Sequence, residues 1–427
     1  MRQKLFLFLV LFGMQGVLQA QDKIQLMQYN LLFYGNTSSY CTSVNNNTQD
    51  KNERFKTVFQ YVKPDILTVN EMAENPIFHD SLLKEALNVD GITKYKRATL
   101  SSMAQGDLLV NMLYYNSEKL TLYKHDAIGT SYRATDVYTM FYNAFDLAET
   151  NDTLFLTYIV THLKAGSSDV ATRASQTAQI MNYIQTHDLG PNYVFSGDLN
   201  VYKSSETGYQ NLIKDYSGTT YLYDPIEAPG DWNNNEAYKA VHTQSSHSSY
   251  NGCASNGGLD DRFDFILASD ALISGSNQMQ LLKDSYTALG NDALHFNTSI
   301  LAPPVHATVP SEVIDGLYYG SDHLPVLAQI EVAQSYLGID EATHFAQVKF
   351  QNPVQQYMNL DILFENVTSF ETSIYDLMGR QLFHISSGEK SVEHHLSIDV
   401  NNLKSGIYFL SLKTENGQKS VHKFFKN

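Results

Sequence analysis

The stretch Gly320-Ser321-Asp322-His323-Leu324-Pro325-Val326 sets a carboxylate beside an imidazole immediately before an apolar run, Val326–Val332, that reads as a strand. Side chains alternate between the faces of a strand, but at its mouth the backbone is free to turn two neighbours into one cleft. An acid and a histidine there point to a hard-metal ligand beside a proton carrier. A surface loop in which Asp322 closes a turn and His323 is solvated is the competing reading of these two residues. The rest of the chain weighs against it.

The chain has 427 residues, 43% hydrophobic and 17% charged, enough for one large core and a smaller one. Residues 1–20 open with Arg2 and Lys4, continue through an apolar run and end on Val17-Leu18-Gln19-Ala20, the layout of a secretory signal peptide cleaved after Ala20. That run is too short to span a bilayer. No later stretch approaches the roughly 20 apolar residues a spanning helix needs, so an exported chain without a transmembrane segment is expected. In an oxidising compartment Cys41 and Cys253 are free to pair, and whether they do stays open. The 29 basic against 45 acidic residues leave a net charge of -16. Such a field opposes non-specific adhesion to a polyanion, so a nucleic-acid substrate would need a divalent cation or a local basic cluster.

Residues 24–30 alternate apolar and polar, the period of a half-buried strand ending on Asn30. Residues 53–62 have helical spacing and stop at Lys63-Pro64; residues 65–70 read as a buried strand delivering Glu71 at its end. An Asn and a Glu at two strand ends form an oxygen pair suited to Mg²⁺ or Ca²⁺, or else are two turn residues. Residues 108–115 read as a further strand, and residues 138–147 and 153–160 as a hairpin turning at Asn151-Asp152, with His162 following its second arm. A helix over 172–185 leads to a strand and then to Gly197-Asp198-Leu199-Asn200. There glycine allows close backbone approach to a ligand, while Asp198 and Asn200, two apart, can face one way. A polar loop carrying Trp232, the sole tryptophan, precedes Arg262-Phe263-Asp264, where Asp264 begins a strand and can orient a histidine ring. The plainer reading pairs Arg262 with a neighbouring acid on the surface.

Taken in order, Asn30, Glu71, His162, the Gly-Asp-Leu-Asn tetrad, Arg262-Phe263-Asp264 and Ser321-Asp322-His323 give residues 23–332 a pattern that resembles the endonuclease/exonuclease/phosphatase superfamily. The resemblance implies an α/β (α+β) fold, a four-layered αββα sandwich of two packed mixed sheets, and metal-dependent hydrolysis of phosphoesters, with Mg²⁺ the usual ion and Mn²⁺ or Ca²⁺ alternatives. It makes Glu71 the main metal ligand, with Asn30 and Asp322 near the metal or its waters. Asp198 and Asn200 would position the attacking water and a phosphate oxygen. His323 would be the general base or a phosphate-stabilising group, its ring held by Asp264. His162 marks the branch that contains deoxyribonuclease I and the neutral sphingomyelinases, where this histidine contacts the phosphate and protonates the leaving group. That branch orients it with an acid, for which Asp107 is nearest by position, and it places a phosphate-binding arginine where Arg133 stands. The chemistry is coherent: a phosphodiester anion repels hydroxide, so hydrolysis needs a cation, a base and an acid.

Past residue 333 the composition changes to short alternating runs with turns at Met378-Gly379-Arg380 and Ser405-Gly406, a small all-β sandwich over 334–427. Its Asn352-Pro353, Asp376-Leu377-Met378-Gly379-Arg380, Ser405-Gly406-Ile407-Tyr408 and closing Lys423-Phe424-Phe425-Lys426 segments resemble a type A sorting domain of type IX secretion. That implies recognition by the secretion machinery, export and later removal; an adhesive or carbohydrate-binding sandwich is the alternative. The expected protein is therefore a signal peptide (1–20), a catalytic domain (21–333) and a sorting domain (334–427). It is expected to be a secreted or cell-surface monomeric phosphodiesterase acting first on nucleic acid, with Lys164, Lys203 and Arg133 on successive phosphates. A lipid phosphodiesterase acting on a headgroup is the second expectation and would want an exposed apolar side chain such as Trp232. A non-catalytic binding module is the third.

Overall fold

The computed structural model describes residues 22–38, 40–100, 109–144, 153–213, 221–250, 252–333, 346–376, 380–416 and 418–426. The expected signal peptide, Asp107, the hairpin turn at Asn151-Asp152 and the junction at 334 lie outside them. The chain divides into two compact units.

In the first unit the strands run β1 (Asp22–Tyr34), β2 (Ile66–Ala73), β3 (Tyr95–Arg97), β4 (Leu109–Asn116), β5 (Leu120–Ile128), β6 (Thr135–Tyr142), β7 (Phe155–His162), β8 (Tyr193–Asp198), β9 (Asp264–Ala268), β10 (Met279–Ala288) and β11 (Val326–Val332). They form two sheets, ordered β10-β11-β1-β2-β4-β3 and β5-β6-β7-β8-β9. Both are mixed: β1 and β2 are parallel, as are β7 and β8, and the other pairs are antiparallel. The sheets pack face to face through β1, β2 and β4 on one side and β6 to β9 on the other, with helices outside.

Of those helices, α1 (Thr48–Val62) begins five residues before the apolar spacing predicts, because Asn47 caps it by accepting the N–H groups of Gln49 and Asp50. It lays Phe55 against Tyr29 and Tyr34 of β1. After α2 (Pro76–Leu82), the helices α3 (Val170–Thr186) and α4 (Thr207–Ile213) cover the other sheet, packing Ile180, Ile184, Tyr209 and Leu212 on Ile159, Phe195 and Phe265. A short α5 (Asp270–Ser274) precedes β10, and α6 (Ser311–Gly320) lies on α1. A Cβ on Gly320 would stand 2.8 Å from the Phe55 ring, so glycine sets how closely α6 can approach.

Two expectations change at this core. Trp232 is fully buried, edge-on to Tyr209 and Phe265, and so offers no side chain to a bilayer. Arg262 is no surface residue: it is buried over Trp232 and Phe265 and makes two bonds, 2.7 and 2.9 Å, to Asp224, an acid 38 residues away rather than a neighbour in sequence. Strands β5 and β10 and helix α6, among others, escaped the sequence reading, β5 because its middle, Tyr123 and Lys124, is exposed and breaks the alternation.

The second unit is an all-antiparallel sandwich of β12 (Ala346–Lys349), β13 (Tyr357–Thr368), β14 (Phe370–Tyr375), β15 (Gln381–Ser386), β16 (Ser391–Asp399), β17 (Gly406–Thr414) and β18 (Lys419–Lys426). Its sheets are ordered β12-β13-β16 and β15-β14-β17-β18. Met358, Leu360, Ile362 and Phe364 alternate inward along β13 and meet Ile374, Leu410, Leu412 and Phe424.

Candidate active site

Parallel neighbours bring their C-terminal ends to one edge of a sheet, and an antiparallel neighbour brings its start to the same edge. The C-terminal parts of β1 and β2 with the start of β11, and the ends of β7 and β8 with the start of β9, therefore deliver Asn30, Glu71, Asp322-His323, His162, Asp198 and Asp264 to one place. A cleft of about 470 Å³ opens there, lined by Glu71, Arg133, His162, Lys164, Asp198, Asn200, Asp322 and His323 among others.

Local backbone devices aim these side chains. Glu71 is inside β2 rather than at its end, at a break in register where its φ is +59°, a left-handed setting that costs a residue with a Cβ on the order of 1 kcal/mol. Its carboxylate accepts the Phe33 N–H at 3.0 Å and the Asn30 amide at 3.1 Å. Gly197 serves packing rather than a ligand: a Cβ there would lie 1.8 Å from the Thr161 carbonyl on the adjacent parallel strand. Beyond it, Asn200 takes a left-handed φ and donates its N–H to Asp198 at 3.0 Å and its amide to the Leu163 carbonyl at 3.3 Å. Ser321 fixes the Asp-His pair, donating to the Asn30 carbonyl at 2.7 Å and accepting the His323 N–H at 3.1 Å.

The Asn30 amide nitrogen is the hub, 3.1 Å from Glu71, 3.0 Å from Asp198 and 3.4 Å from Nε2 of His323. His162 Nε2 lies 3.8 Å from Glu71 and 3.5 Å from Asp198. These three offer ligand atoms within 4.8 Å of one another. His323 bonds Asp264 through Nδ1 at 2.7 Å and approaches Asp198 through Nε2 at 3.7 Å. Asp322 is turned to the Ser255 N–H at 2.8 Å and the Gln244 amide at 3.4 Å, leaving its Oδ1 buried without a hydrogen-bond partner among the described residues. Arg133 reaches the Leu163 carbonyl at 3.2 Å and stacks on Tyr132, as Lys164 does from 5.2 Å. Lys203 does not line the cleft.

The two histidines share this cleft with opposite electrostatics. Burial drives His162 well below the ordinary imidazole value, and the cations Arg133, His323 and Lys164 push the same way. Burial also opposes charge on His323, but Asp264 and Asp198 outweigh it and hold the ring protonated well above the ordinary value. Asp198 is raised to about 7 by burial, then by Asp264 and Glu71 against the pull of His323. Glu71 is raised by burial and by the charge of Asp322. His162 Nδ1 has no hydrogen-bond partner among the described residues.

Two contributors were not foreseen, and the open question of the two cysteines is answered. Gln244 lies 2.6 Å from His323 Nε2, in a loop whose sequence has no periodicity to read. Lys51 is buried, bonds the Leu31 and Leu32 carbonyls, and is lowered by burial to about 7 against the attraction of Asp322 and Glu71. Its spacing of four from Phe55 on α1 was the available signal. Cys41 and Cys253 form a disulfide closing a span of 212 residues, with Cys253 on the cleft wall. The chain-entropy account values such a link at about 5 kcal/mol.

Residues 350–427 match the family model described as Secretion system C-terminal sorting domain, and the chain thus carries a type IX sorting domain at its C-terminus. No curated protein matches the chain. Among solved structures it is similar to truncated Caenorhabditis elegans TDP2 at 16% identity over 73% of this chain and 98% of that one, with a TM-score of 0.45. It is similar to an endonuclease/exonuclease/phosphatase from Bacteroides vulgatus at 14% identity over 73% of this chain and 100% of that one, TM-score 0.47. A D. rerio TDP2 complexed with single strand DNA product is similar at 12% identity over 73% and 99%, TM-score 0.44. Similarities of this size transfer neither an activity nor a residue's role.

Proposed function

We propose that the first unit is an exported, divalent-cation-dependent phosphodiesterase of the endonuclease/exonuclease/phosphatase kind, acting on nucleic acid. The observation that carries this reading is the convergence of Glu71, His162 and Asp198 on one point beside the Asp264–His323 pair. Two carboxylates and a neutral imidazole suit a divalent ion, and the bare Oδ1 of buried Asp322 and the raised values of Glu71 and Asp198 are what a site short of positive charge displays. Glu71, Asp198 and His162 would hold the ion, with Asn30 and Asp322 beside it; when bound, it supplies charge neutralisation of the phosphodiester, and Mg²⁺ is the expected occupant.

The chain's own groups divide the remaining work. His323, kept protonated by Asp264, donates Nε2–H to a phosphoryl oxygen and then to the leaving alkoxide. Because burial keeps His162 neutral, it serves as a ligand or acceptor rather than as the resting acid. Asp198, its carboxylate kept ionised when the cation is bound, takes a proton from the attacking water. Asn200 and Gln244 orient the phosphate, and Arg133 and Lys164 receive its neighbours. The cleft wall adds Phe33, Tyr40, Tyr132 and Tyr202, flat faces on which bases stack without regard to sequence. Burial of Trp232 removes the side chain on which a bilayer substrate would have relied.

A side-by-side assay on plasmid, RNA, sphingomyelin and a chromogenic phosphodiester tests the substrate. Cleavage of plasmid or RNA in Mg²⁺ ahead of sphingomyelin is expected. Preferential sphingomyelin hydrolysis would overturn the choice of substrate, and inertness toward all four would overturn the enzyme.

A further inference from the structure

Just past Asn30 the pairing of β1 with β2 breaks. Asn30 pairs with Asn70 and Tyr34 with Met72, so Leu31, Leu32 and Phe33 stand opposite Glu71 alone. Leu32 and Phe33 take left-handed φ values of +48° and +50°, a setting that a Cβ disfavours, at two consecutive positions. The N–H and C=O groups of this turn go to different partners. The Leu32 N–H bonds the Asn30 side-chain oxygen at 3.0 Å and the Phe33 N–H bonds Glu71 Oε2 at 3.0 Å, so both donors hold residues of the cation cluster. Successive backbone N–H groups gathered in a turn suit an anion in this way. The Leu31 and Leu32 carbonyls are both taken by a single group, Lys51 Nζ, at 2.7 and 2.5 Å.

Lys51 reaches the turn from α1 and is 4% exposed. Phe55 and Phe59, one and two helical turns further along, are buried and apolar, so cohesion on this side of the helix does not call for an ammonium. Burying one is costly unless its donors are bonded and its charge is compensated. The bonds here go to neutral carbonyls, and the compensating charge is that of Asp322 and Glu71, two of the acids placed at the cation. The lysine is therefore tied to the site twice, through the turn that aims Asn30 and Glu71 and through the charge of the acids themselves.

We propose that Lys51 is a positioning residue for the cation site: by holding the Leu31 and Leu32 carbonyls, it keeps the turn in the shape that presents Asn30 and Glu71. The inference rests on the cation-dependent reading given above. Without the ammonium, two carbonyls of buried residues lose that partner and the turn is free to leave its left-handed setting, which takes the Phe33 N–H from Glu71. Glu71 then keeps its charge and loses its orientation. The loss falls on cation affinity, as it does when the outer hydrogen-bond partners of other metal ligands are removed.

The test measures Mn²⁺, a stand-in for Mg²⁺ that is visible by paramagnetic resonance, at binding equilibrium with the full chain, and so needs no turnover. Wild type should bind an ion that Glu71→Gln does not. Lys51→Met, which keeps the stem and removes the donors, should weaken that binding by on the order of 10-fold or more with the circular dichroism spectrum unchanged. Lys51→Gln, which keeps one donor group without the charge, should fall between the two, and it carries the test if Lys51→Met does not fold. Lys56→Met removes a lysine of the same helix whose partner is Asp90, and should bind Mn²⁺ as wild type does. In turnover assays the Mg²⁺ needed for half-maximal rate should rise in step with the Mn²⁺ dissociation constant, while KM for the phosphodiester moves by no more than about twofold. Mn²⁺ held as tightly by the folded Lys51 variants as by wild type, or weakened equally by Lys56→Met, would overturn the role of Lys51 and leave the cation reading standing. A wild type that binds no Glu71-dependent Mn²⁺ would overturn that reading and this role with it.

Discussion

Where the two sheets of the first sandwich meet, the buried side chains include Gln28, Thr68, Asn70, Asn111, Asp136 and Ser196. Between the sheets of the second sandwich they are Met358, Leu360, Ile362, Phe364, Ile374, Leu410 and Phe424. The polar interior is tied together, with Gln28 bonded to Asn70 at 2.6 Å and to Thr68 at 2.7 Å, and Asn70 and Asp136 both engaged by Asn111. Polar groups buried this way contribute little net stability, but they fix geometry, since each has few alternative partners. The ladder leads straight to the site: Asn70 also accepts the Asp198 N–H at 3.1 Å. One sandwich thus places part of its interior in the service of charged groups that need outside partners, and the other spends its interior on cohesion.

That contrast can be broken at its charged end first. His323→Ala removes the protonated ring facing the phosphate and should lower kcat by on the order of 10²-fold or more while the circular dichroism spectrum is unchanged; turnover equal to wild type would remove His323 from the mechanism. At the apolar end, Leu410→Ala opens a cavity in the second sandwich and should destabilise it by about 3 kcal/mol in urea unfolding, with hydrolysis unaffected. A parallel loss of turnover would show that the two sandwiches do not divide the labour.

A third test concerns pH. His79 is fully buried, with Nε2 at 2.7 Å from the Ala73 carbonyl, and burial lowers it to about 4 from the ordinary 6.5. The unfolded chain takes up the proton first as pH falls. The stabilisation is therefore complete above pH 6.5 and drains away as pH drops toward 4, by about 3 kcal/mol in all. His79→Gln should flatten this part of the stability profile, and an unchanged slope would discount His79 as its source. The smallest effect is expected from truncation after Val332: if the second sandwich serves only as an export address, kcat and KM stay at wild-type values, and a folded truncate that had lost turnover would give that sandwich a catalytic part.

Most of the site was legible because its residues stand where short apolar runs end, and strand ends are places a sequence marks. Asn30, Glu71, His162, Asp198, Asp264 and His323 converge as that reading expects. What stayed hidden depends on contacts distant in sequence. Gln244 reaches His323 from 79 residues away, and Arg262 finds Asp224 rather than an adjacent acid. The left-handed turn at Glu71 inside β2 has no residue signature, since glutamate is no common choice there. In the second sandwich β13 was plain from its strict alternation, whereas β16 was missed because most of its side chains are exposed or half-exposed.

A cation gathered by Glu71 and its neighbours is the centre of the proposed chemistry. The most direct measurement is phosphodiester hydrolysis by the full chain in chelator and after Mg²⁺ is restored, for wild type beside Glu71→Gln. Turnover that appears only with the cation and only in wild type is the predicted result. Equal turnover in chelator, or by the Glu71→Gln protein in Mg²⁺, would contradict it.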